Sequence, residues 1–348
     1  MRVIVPCAGR SSRFPNTRPK YLLTMPDGEL MLQHVVRNWI EDYPVTVVIN
    51  REHEEQYRVI DSIERIWGKL VSVHIVEHYT NGPAETIYET VKAWDDTPFY
   101  VQDCDSLFNI KLPAVNRNFV AHVDLNDYPT LTNIAAKSFV TLHEELLSNI
   151  VEKRLISDNV CVGGYGFHSS YGYRHHYELL VERQGKDSEL FISHVIKTMM
   201  ENGCIFGGVR AINYLDCGTY ESFIENQKRH ATIFCDLDGV VFYNQSRYFE
   251  NNYSIEPKLK PQAVSFLLGK QENGAHIVFT TARPSGAAGI TEAALGAAGF
   301  KDYRILYDLP HAPRMLINDV SASNPWPSAI AINSPRDDDD YWKAVQER

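Results

Sequence analysis

The chain has 348 residues, a formal net charge of −10 at neutral pH and 44% hydrophobic residues. This length exceeds one typical domain and suits two, each with enough apolar residues for its own core. The acidic balance excludes a general nucleic-acid-binding protein, because phosphate backbones require basic faces.

The cysteines and the apolar runs bear on the cellular setting. No apolar run approaches the ~20 residues that a membrane helix needs, and the chain enters a predicted strand at Arg2 without a signal-peptide pattern. The cysteines lie in or beside apolar runs without the paired spacing of a disulfide or zinc framework, which favours a reducing compartment. We therefore expect a cytoplasmic protein that contacts no membrane, and a homo-oligomeric assembly stays open. The cysteines are Cys7, Cys104, Cys161, Cys204, Cys217 and Cys235.

The first predicted element is a buried strand at residues 3–5 that runs into a loop of small residues. Such a loop exposes backbone N–H groups, which can bind phosphate. Arg13 and Lys20 follow and can neutralise phosphate charge. The alternative is an ordinary strand and loop with surface cations. The loop residues that we expect to contact a nucleotide are Ala8, Gly9, Arg10, Ser11 and Ser12.

Strand-like and helix-like segments then alternate, which predicts an α/β fold with a parallel sheet. Residues 45–49 and 71–76 read as buried strands, and residues 52–69 have helical spacing. Gly82 and Pro83 predict a turn, with a helix starting at Ala84.

The next predicted strand, residues 99–108, carries Asp103 and Asp105 near its end. Ligands of open α/β sheets bind at the carboxyl ends of strands, and a metal ion is a common partner of a buried carboxylate. A turn capped by aspartate is the alternative.

Several of these stretches, taken together, resemble the sugar-phosphate nucleotidyltransferases, which are GT-A-like enzymes. Ala8, Gly9, Arg13 and Pro19-Lys20 match the signature loop of that family, with Ser11 in place of its second glycine. Asp216-Cys217-Gly218-Thr219 matches a second motif. The resemblance implies a GT-A/Rossmann-like α/β nucleotidyltransferase domain over residues 1–228, with Arg13 and Lys20 as catalytic cations and Asp105 and Asp216 as Mg²⁺ ligands.

The same resemblance assigns the two substrates. It implies that Gly82, Pro83 and Ala84 pack against the nucleobase of a nucleoside triphosphate. It also implies that a sugar phosphate contacts four residues, which are Glu152, Lys153, Gly164 and Glu189. Arg154 stands where the family has proline after its Glu-Lys pair.

A second buried strand ending in carboxylates begins at Ala231. Three stretches resemble three motifs of the haloacid dehalogenase (HAD) phosphatases. They are Asp236-Leu237-Asp238-Gly239, Thr281 after a predicted strand, and Arg314 to Asp319. The resemblance implies a small capless HAD-like Rossmannoid domain over residues 229–348 with its own Mg²⁺. It implies that Asp236 is the nucleophile, that Asp238 is the acid and base, and that Thr281 binds the phosphoryl oxygens. It also implies that Arg314 replaces the usual lysine and that Asp319 binds Mg²⁺ together with Asp236 and Asp238.

The resemblances together predict a bifunctional enzyme of surface-polysaccharide biosynthesis. One domain would join a nucleoside triphosphate and a sugar 1-phosphate, and the other would hydrolyse a related phosphorylated intermediate. Two alternatives stay open. In the first alternative, the enzyme is a cytidylyltransferase whose acceptor is a non-sugar phosphate of the phosphocholine or glycerol type. In the second, the HAD-like part is a non-catalytic binding or assembly module.

Overall fold

The computed structural model describes residues 1–113, 117–185, 188–245, 253–320 and 328–346. Contacts divide the chain into a first unit, Met1–Phe223, and a second unit that begins at Ile224. The division falls within the helix Tyr220–Arg229, which we call α7. Among the described helices, none is long and apolar enough to cross a membrane.

The strands of the first unit follow the α/β order that the sequence predicts. They are β1 (Arg2–Pro6), β2 (Val45–Asn50), β3 (Val71–Val76), β4 (Phe99–Gln102), β5 (Ser106–Asn109), β6 (Asn118–Asp124), β7 (Phe139–His143), β8 (Leu146–Val151), β9 (Asn159–Phe167), β10 (Phe206–Arg210) and β11 (Ile212–Asp216). The helices before α7 are α1 (Met31–Val36), α2 (Arg51–Tyr57), α3 (Val59–Trp67), α4 (Pro83–Val91), α5 (Ser170–Gln184) and α6 (Ile192–Glu201).

Within the described residues, nine strands form the central sheet in the order β3-β2-β1-β4-β9-β6-β10-β8-β7. The strands β3, β2, β1 and β4 are parallel, so their carboxyl ends open at one edge. Val3 and Val5 pack on one face with residues of α1 and α3, and Ile4 packs on the other with residues of α4, α5 and α6. Burial on both faces explains why these strands read as continuous apolar runs.

The helix predicted over residues 52–69 is interrupted. Arg58 adopts a left-handed backbone conformation with φ of 49°, which ends α2 and separates it from α3. Helical periodicity alone does not register such a break, because the apolar spacing continues through it.

The second unit contains, among its described residues, one parallel sheet of three strands in the order β12-β13-β14. Its elements are β12 (Thr232–Asp236), α8 (Pro261–Glu272), β13 (His276–Thr280), α9 (Ala288–Ala297), β14 (Tyr303–Leu306) and α10 (Tyr341–Gln346). Its core joins Cys235, Ile277 and Phe279 of the sheet to Leu267 and Leu295 of the helices.

The expectation of a strand over Arg314–Asp319 is wrong. This stretch has no regular structure, and Met315 and Ile317 are 85% and 82% exposed. An apolar run forms a strand only where a neighbouring strand and a covering layer bury it, and Pro310 and Pro313 interrupt the chain just before it.

Candidate active site

A cleft of about 560 Å³ lies at the carboxyl ends of β1 and β4. It is lined by the loop after β1, by the loop before α4 and by the residues after β4. The segments that precede β7 and α6, those at the ends of β8 and β11, and residues of β9 also line it. Elements of the first unit that carry sequence motifs, although far apart along the chain, therefore border one cavity.

The loop after β1 lines the cleft from Ala8 to Phe14. Asn50 at the end of β2 donates its side-chain amide to the Ala8 carbonyl at 3.1 Å, and this fixes the entry of the loop. Ser11, which stands in place of a glycine, adopts φ of 50°. Its hydroxyl accepts a hydrogen bond from the Lys20 backbone N–H at 3.1 Å, which helps to hold this unfavourable conformation. Arg13 is exposed at this side of the cleft.

Lys20 forms an ion pair with Asp105 inside the cleft, where both side chains are largely buried. Burial opposes the charge on Asp105, but the Lys20 ammonium prevails and holds the pKa of this carboxyl below its usual value. Burial would also lower the pKa of Lys20, but the Asp105 carboxylate outweighs it and raises that pKa. The pair is therefore charged at neutral pH.

Asp216, at the end of β11, lies near the Asp105 carboxylate. A methyl group built on Gly218 would lie 3.1 Å from Asp105 Oδ2 and 3.1 Å from Asp216 Oδ1. The two carboxylates thus face one space beside Gly218, which a side chain at this position would narrow. Lys137 lies 2.8 Å from Asp216 Oδ2 and donates a hydrogen bond to the Tyr214 hydroxyl at 2.9 Å.

Asp103 sits behind these groups, and burial together with the Asp105 charge raises its pKa to about 7. Its backbone N–H donates to the Gly163 carbonyl at 2.8 Å. Gly163 has φ of 79°, and a Cβ there would lie 2.5 Å from Asp103 Oδ2. Gly163 lines the cleft, whereas Gly164 does not, because a Cβ at Gly164 would point at Tyr100, Ala121 and Phe108 in the core.

The loop before α4 also enters the cleft. Gly82 has φ of 139° and passes so close to Leu190 that a Cβ would lie 2.5 Å from its carbonyl oxygen. Gly82 and Pro83 line the cavity. Ala84 does not line it, since its side chain is buried among residues of α4, α5 and α6.

The opposite side of the cleft carries Glu152, whose Oε2 accepts hydrogen bonds from the hydroxyls of Ser138 and Ser193. These bonds leave Oε1 available to a ligand. Glu189 also lines the cavity, but Lys153 does not. The Lys153 ammonium lies 4.1 Å above the centre of the Phe191 ring and 3.9 Å from Glu189.

The oxygens of Asp105 and Asp216 have the chemistry that Mg²⁺ prefers, and the space kept open by Gly218 lies between them. The pair therefore has the chemistry to hold a divalent cation. Among the described residues, the group of three or more acids, histidines or cysteines spaced for a metal lies elsewhere, at Asp27, Glu29 and His34.

In the second unit Asp238 is fully engaged. Arg283, which is completely buried, binds it with Nη2–Oδ1 at 2.7 Å and Nε–Oδ2 at 2.9 Å, and Thr281 donates to Oδ2 at 3.2 Å. The Asp236 carboxyl is partly covered by its neighbours, and this partial burial raises its pKa, with Arg314 opposing the shift and Asp238 adding to it. Asp319 lies in the exposed stretch described above, and the described Asp236, Asp238 and Asp319 form no three-ligand cluster.

Four side chains at these sites were not singled out from the sequence. Lys137, Ser138 and Ser193 enter the cleft through strand pairing and the start of α6, and no local motif marks them. Arg283 lies two residues after Thr281 and three residues beyond the end of β13, the strand that pairs with β12. A cation at this place is a sequence signal of a partner for the carboxylates that follow β12.

Comparisons with known proteins bear on the fold of the first unit. Residues 3–126 match the family described as MobA-like NTP transferase domain. A nucleoside-diphosphate-sugar pyrophosphorylase from Vibrio cholerae RC9 is similar in structure, with a TM-score of 0.55 and 20% identity over 65% of this chain and 99% of that one. The inositol-1-phosphate CTP transferase from T. maritima has a TM-score of 0.52 and 13% identity over 64% and 90%.

A UDP-glucose pyrophosphorylase complexed with UDP-glucose has a TM-score of 0.50 and 19% identity over 65% of this chain and 96% of that one. Comparison with curated protein sequences gave no significant match. Residues 1 to about 230 therefore have the Rossmann-like α/β fold of nucleotidyltransferases, with a MobA-like NTP transferase domain match at their start.

Proposed function

We propose that the first unit transfers a nucleotidyl group from a nucleoside triphosphate to the phosphate of a small acceptor, with release of pyrophosphate. The observation that carries this proposal is the convergence of Asp105 and Asp216 on one space, with Lys20 and Lys137 against them, in a cleft that begins at a small-residue loop. The family match and the similar structures support it.

The residues of the cleft suit this reaction in separate ways. The loop from Ala8 to Ser12 presents backbone N–H groups to the triphosphate, and Arg13 and Lys20 offset its charge. An oxygen of the acceptor phosphate attacks the α-phosphorus, and the bond between the α- and β-phosphates breaks. Both reactants are anions, so their approach requires positive charge between them.

Asp105 and Asp216 are the residues that would hold Mg²⁺. When bound, Mg²⁺ supplies charge neutralisation between the two phosphates. The carboxylates are held in position without it, Asp105 by Lys20 and Asp216 by Lys137. In addition, the Cys217 N–H donates to the Asp105 carbonyl at 2.8 Å and links the two strand ends.

A sugar 1-phosphate is the acceptor that we propose first, since Glu152 presents a free carboxylate oxygen that can accept hydrogen bonds from sugar hydroxyls. The test is pyrophosphate release from each of the four triphosphates with a panel of sugar phosphates and Mg²⁺. Release with one base and one acceptor supports the proposal, and no release with any pair overturns it.

One observation favours the second acceptor class, a phosphocholine-type substrate. Phe191 and Glu189 line the cleft. The Lys153 ammonium rests on the Phe191 ring and lies 3.9 Å from Glu189, so this surface already attracts a cation. An aromatic face beside a carboxylate is a surface that attracts a quaternary ammonium group. Pyrophosphate release with CTP and phosphocholine, but not with sugar phosphates, would decide for this class.

For the second unit we propose phosphate-monoester hydrolysis with Asp236 as nucleophile, supported by the position of Asp236 at the end of β12 and by the nearby charge of Arg314. The engagement of Asp238 by Arg283 instead favours a binding or assembly role. Hydrolysis of an aryl phosphate by the full chain, lost in Asp236→Asn, supports the enzyme; no hydrolysis supports the module.

A further inference from the structure

Two lysines lie opposite each other where β7 and β8 pair. The register of these antiparallel strands pairs Phe139 with Val151, and continuing it by two residues brings Lys137 opposite Lys153. The Lys153 N–H donates to the Lys137 carbonyl at 3.1 Å, which confirms that the backbones remain adjacent. The two side chains nevertheless have different surroundings.

Lys137 is buried in the cleft, with 13% of its side chain exposed. It contacts Asp216 and Tyr214, and its neighbour Ser138 binds Glu152 on the acceptor side. Lys153 has a left-handed backbone with φ of 54°, is 46% exposed, and rests on Phe191 outside the cavity lining.

We propose that Lys137, and not Lys153, is the cation that binds the acceptor phosphate. This inference rests on the proposed transfer reaction. In the proposed reaction Arg10, Arg13 and Lys20 face the triphosphate from the first loop, and Lys137 is the described cation that contacts Asp216 from the other side of the cleft. A phosphate that arrives beside Asp216 is repelled by this carboxylate, and the Lys137 ammonium offsets the repulsion.

The charge balance in the cleft gives the proposal a measurable consequence. Asp216 and phosphate compete for the same ammonium, so neutralising Asp216 frees Lys137 for an anion. We expect Asp216→Asn to bind inorganic phosphate more tightly than the wild type without any metal. We also expect Lys137→Gln to bind it roughly tenfold more weakly, the loss of one charge-assisted hydrogen bond.

The experiment is equilibrium binding of inorganic phosphate to the full chain, measured by ³¹P NMR titration in metal-free buffer. The matched control is Lys153→Gln, which removes the opposite lysine and should leave the affinity within twofold of the wild type. Lys137→Arg keeps the charge and should retain most of the affinity, which separates loss of binding from misfolding.

The double variant Lys137→Gln with Asp216→Asn tests whether Lys137 only neutralises Asp216. If Lys137 binds phosphate, the double variant loses the affinity gained by Asp216→Asn alone. If the double variant keeps that gain, if Lys153→Gln weakens binding instead, or if the wild type binds no phosphate, the proposal is wrong. Failure of pyrophosphate release would overturn the proposed function and leave this binding result to stand by itself.

Discussion

Both units of the chain carry a pair of aspartates at the carboxyl end of a strand, but the surroundings of the two pairs differ. In each, a strand with a parallel neighbour leads into two aspartates separated by one residue, Asp103 and Asp105 just after β4 and Asp236 and Asp238 at and just after the end of β12. The sequence predicts both strands to be buried, but β4 is buried along its length whereas only Cys235 of β12 is buried. In the first unit Asp105 meets a second carboxylate from β11 across an open space. In the second unit Asp238 is bound by Arg283 from the segment after the neighbouring strand.

The difference shows that a strand-end carboxylate is not by itself a site. Asp105 is paired with Lys20 but also faces Asp216 across an open space, so it can hold a further cation. Both oxygens of Asp238 are instead bound by the completely buried Arg283, and this pair contributes to the fold. Substitutions that separate these two roles test the comparison.

The largest expected effect is on chemistry in the first unit. Asp216→Asn removes one of the two charges that would hold the divalent cation, and we expect nucleotidyl transfer to fall by a factor of roughly 10³. Pyrophosphate release measures it, with Glu64→Gln on the exposed side of α3 as a control that should not change the rate. A comparable rate in Asp216→Asn would show that the convergence on Gly218 does not serve transfer.

A substitution in the second unit should instead affect stability. Arg283→Met leaves the Asp238 charge buried and unpaired, and we expect the free energy of unfolding of this unit to fall by about 3–5 kcal/mol. Hydrogen exchange of the β12 and β13 amides measures it. The double variant with Asp238→Asn should recover most of the loss, and an equal loss in both variants would contradict the ion-pair account.

Two glycine substitutions, one in each unit, should change stability by an intermediate amount. Gly163→Ala would place a methyl group 2.5 Å from Asp103 Oδ2 at a φ of 79°, so we expect a destabilisation of about 1–3 kcal/mol. Gly289→Ala in α9 meets no atom within 4 Å and should stabilise the second unit by roughly 0.5–1 kcal/mol. Chemical denaturation followed by circular dichroism measures both, and opposite signs are the expected result.

The smallest effect concerns the acceptor side of the cleft. Ser193→Ala removes one hydrogen bond to Glu152, so we expect the KM for the acceptor to rise by a few-fold, equivalent to about 0.5–1.5 kcal/mol, with kcat and the KM for the triphosphate unchanged. Ser188→Ala, outside the cleft lining, is the control. A change in the KM for the triphosphate would contradict the assignment of this side.

The sequence predicted the α/β fold of the first unit because buried parallel strands and the loops after them leave clear local patterns. The strands at residues 45–49 and 71–76 are confirmed as β2 and β3. The stretches around Ala8, Lys20, Asp105 and Asp216 could be singled out because each carries its chemistry within a few consecutive residues. Their roles in transfer stay predictions.

Other features depend on contacts that no local pattern records. Lys137 and Ser193 reach the cleft by strand register and helix placement. Lys153, which has a left-handed backbone, instead lies on Phe191 outside the cleft lining. Which of Gly163 and Gly164 faces the cavity depends on side-chain alternation along β9. The prediction of a strand at Arg314–Asp319 is wrong because an apolar run does not show whether a neighbouring strand is present to pair with it.

The most direct measurement of the central claim is ³¹P NMR of the wild type, Asp105→Asn and Asp236→Asn, each with Mg²⁺, the triphosphates and pooled phosphate acceptors. The account predicts pyrophosphate and a new diphosphate diester from the wild type and from Asp236→Asn, and neither product from Asp105→Asn. Equal product from Asp105→Asn, or no product from the wild type, would contradict it.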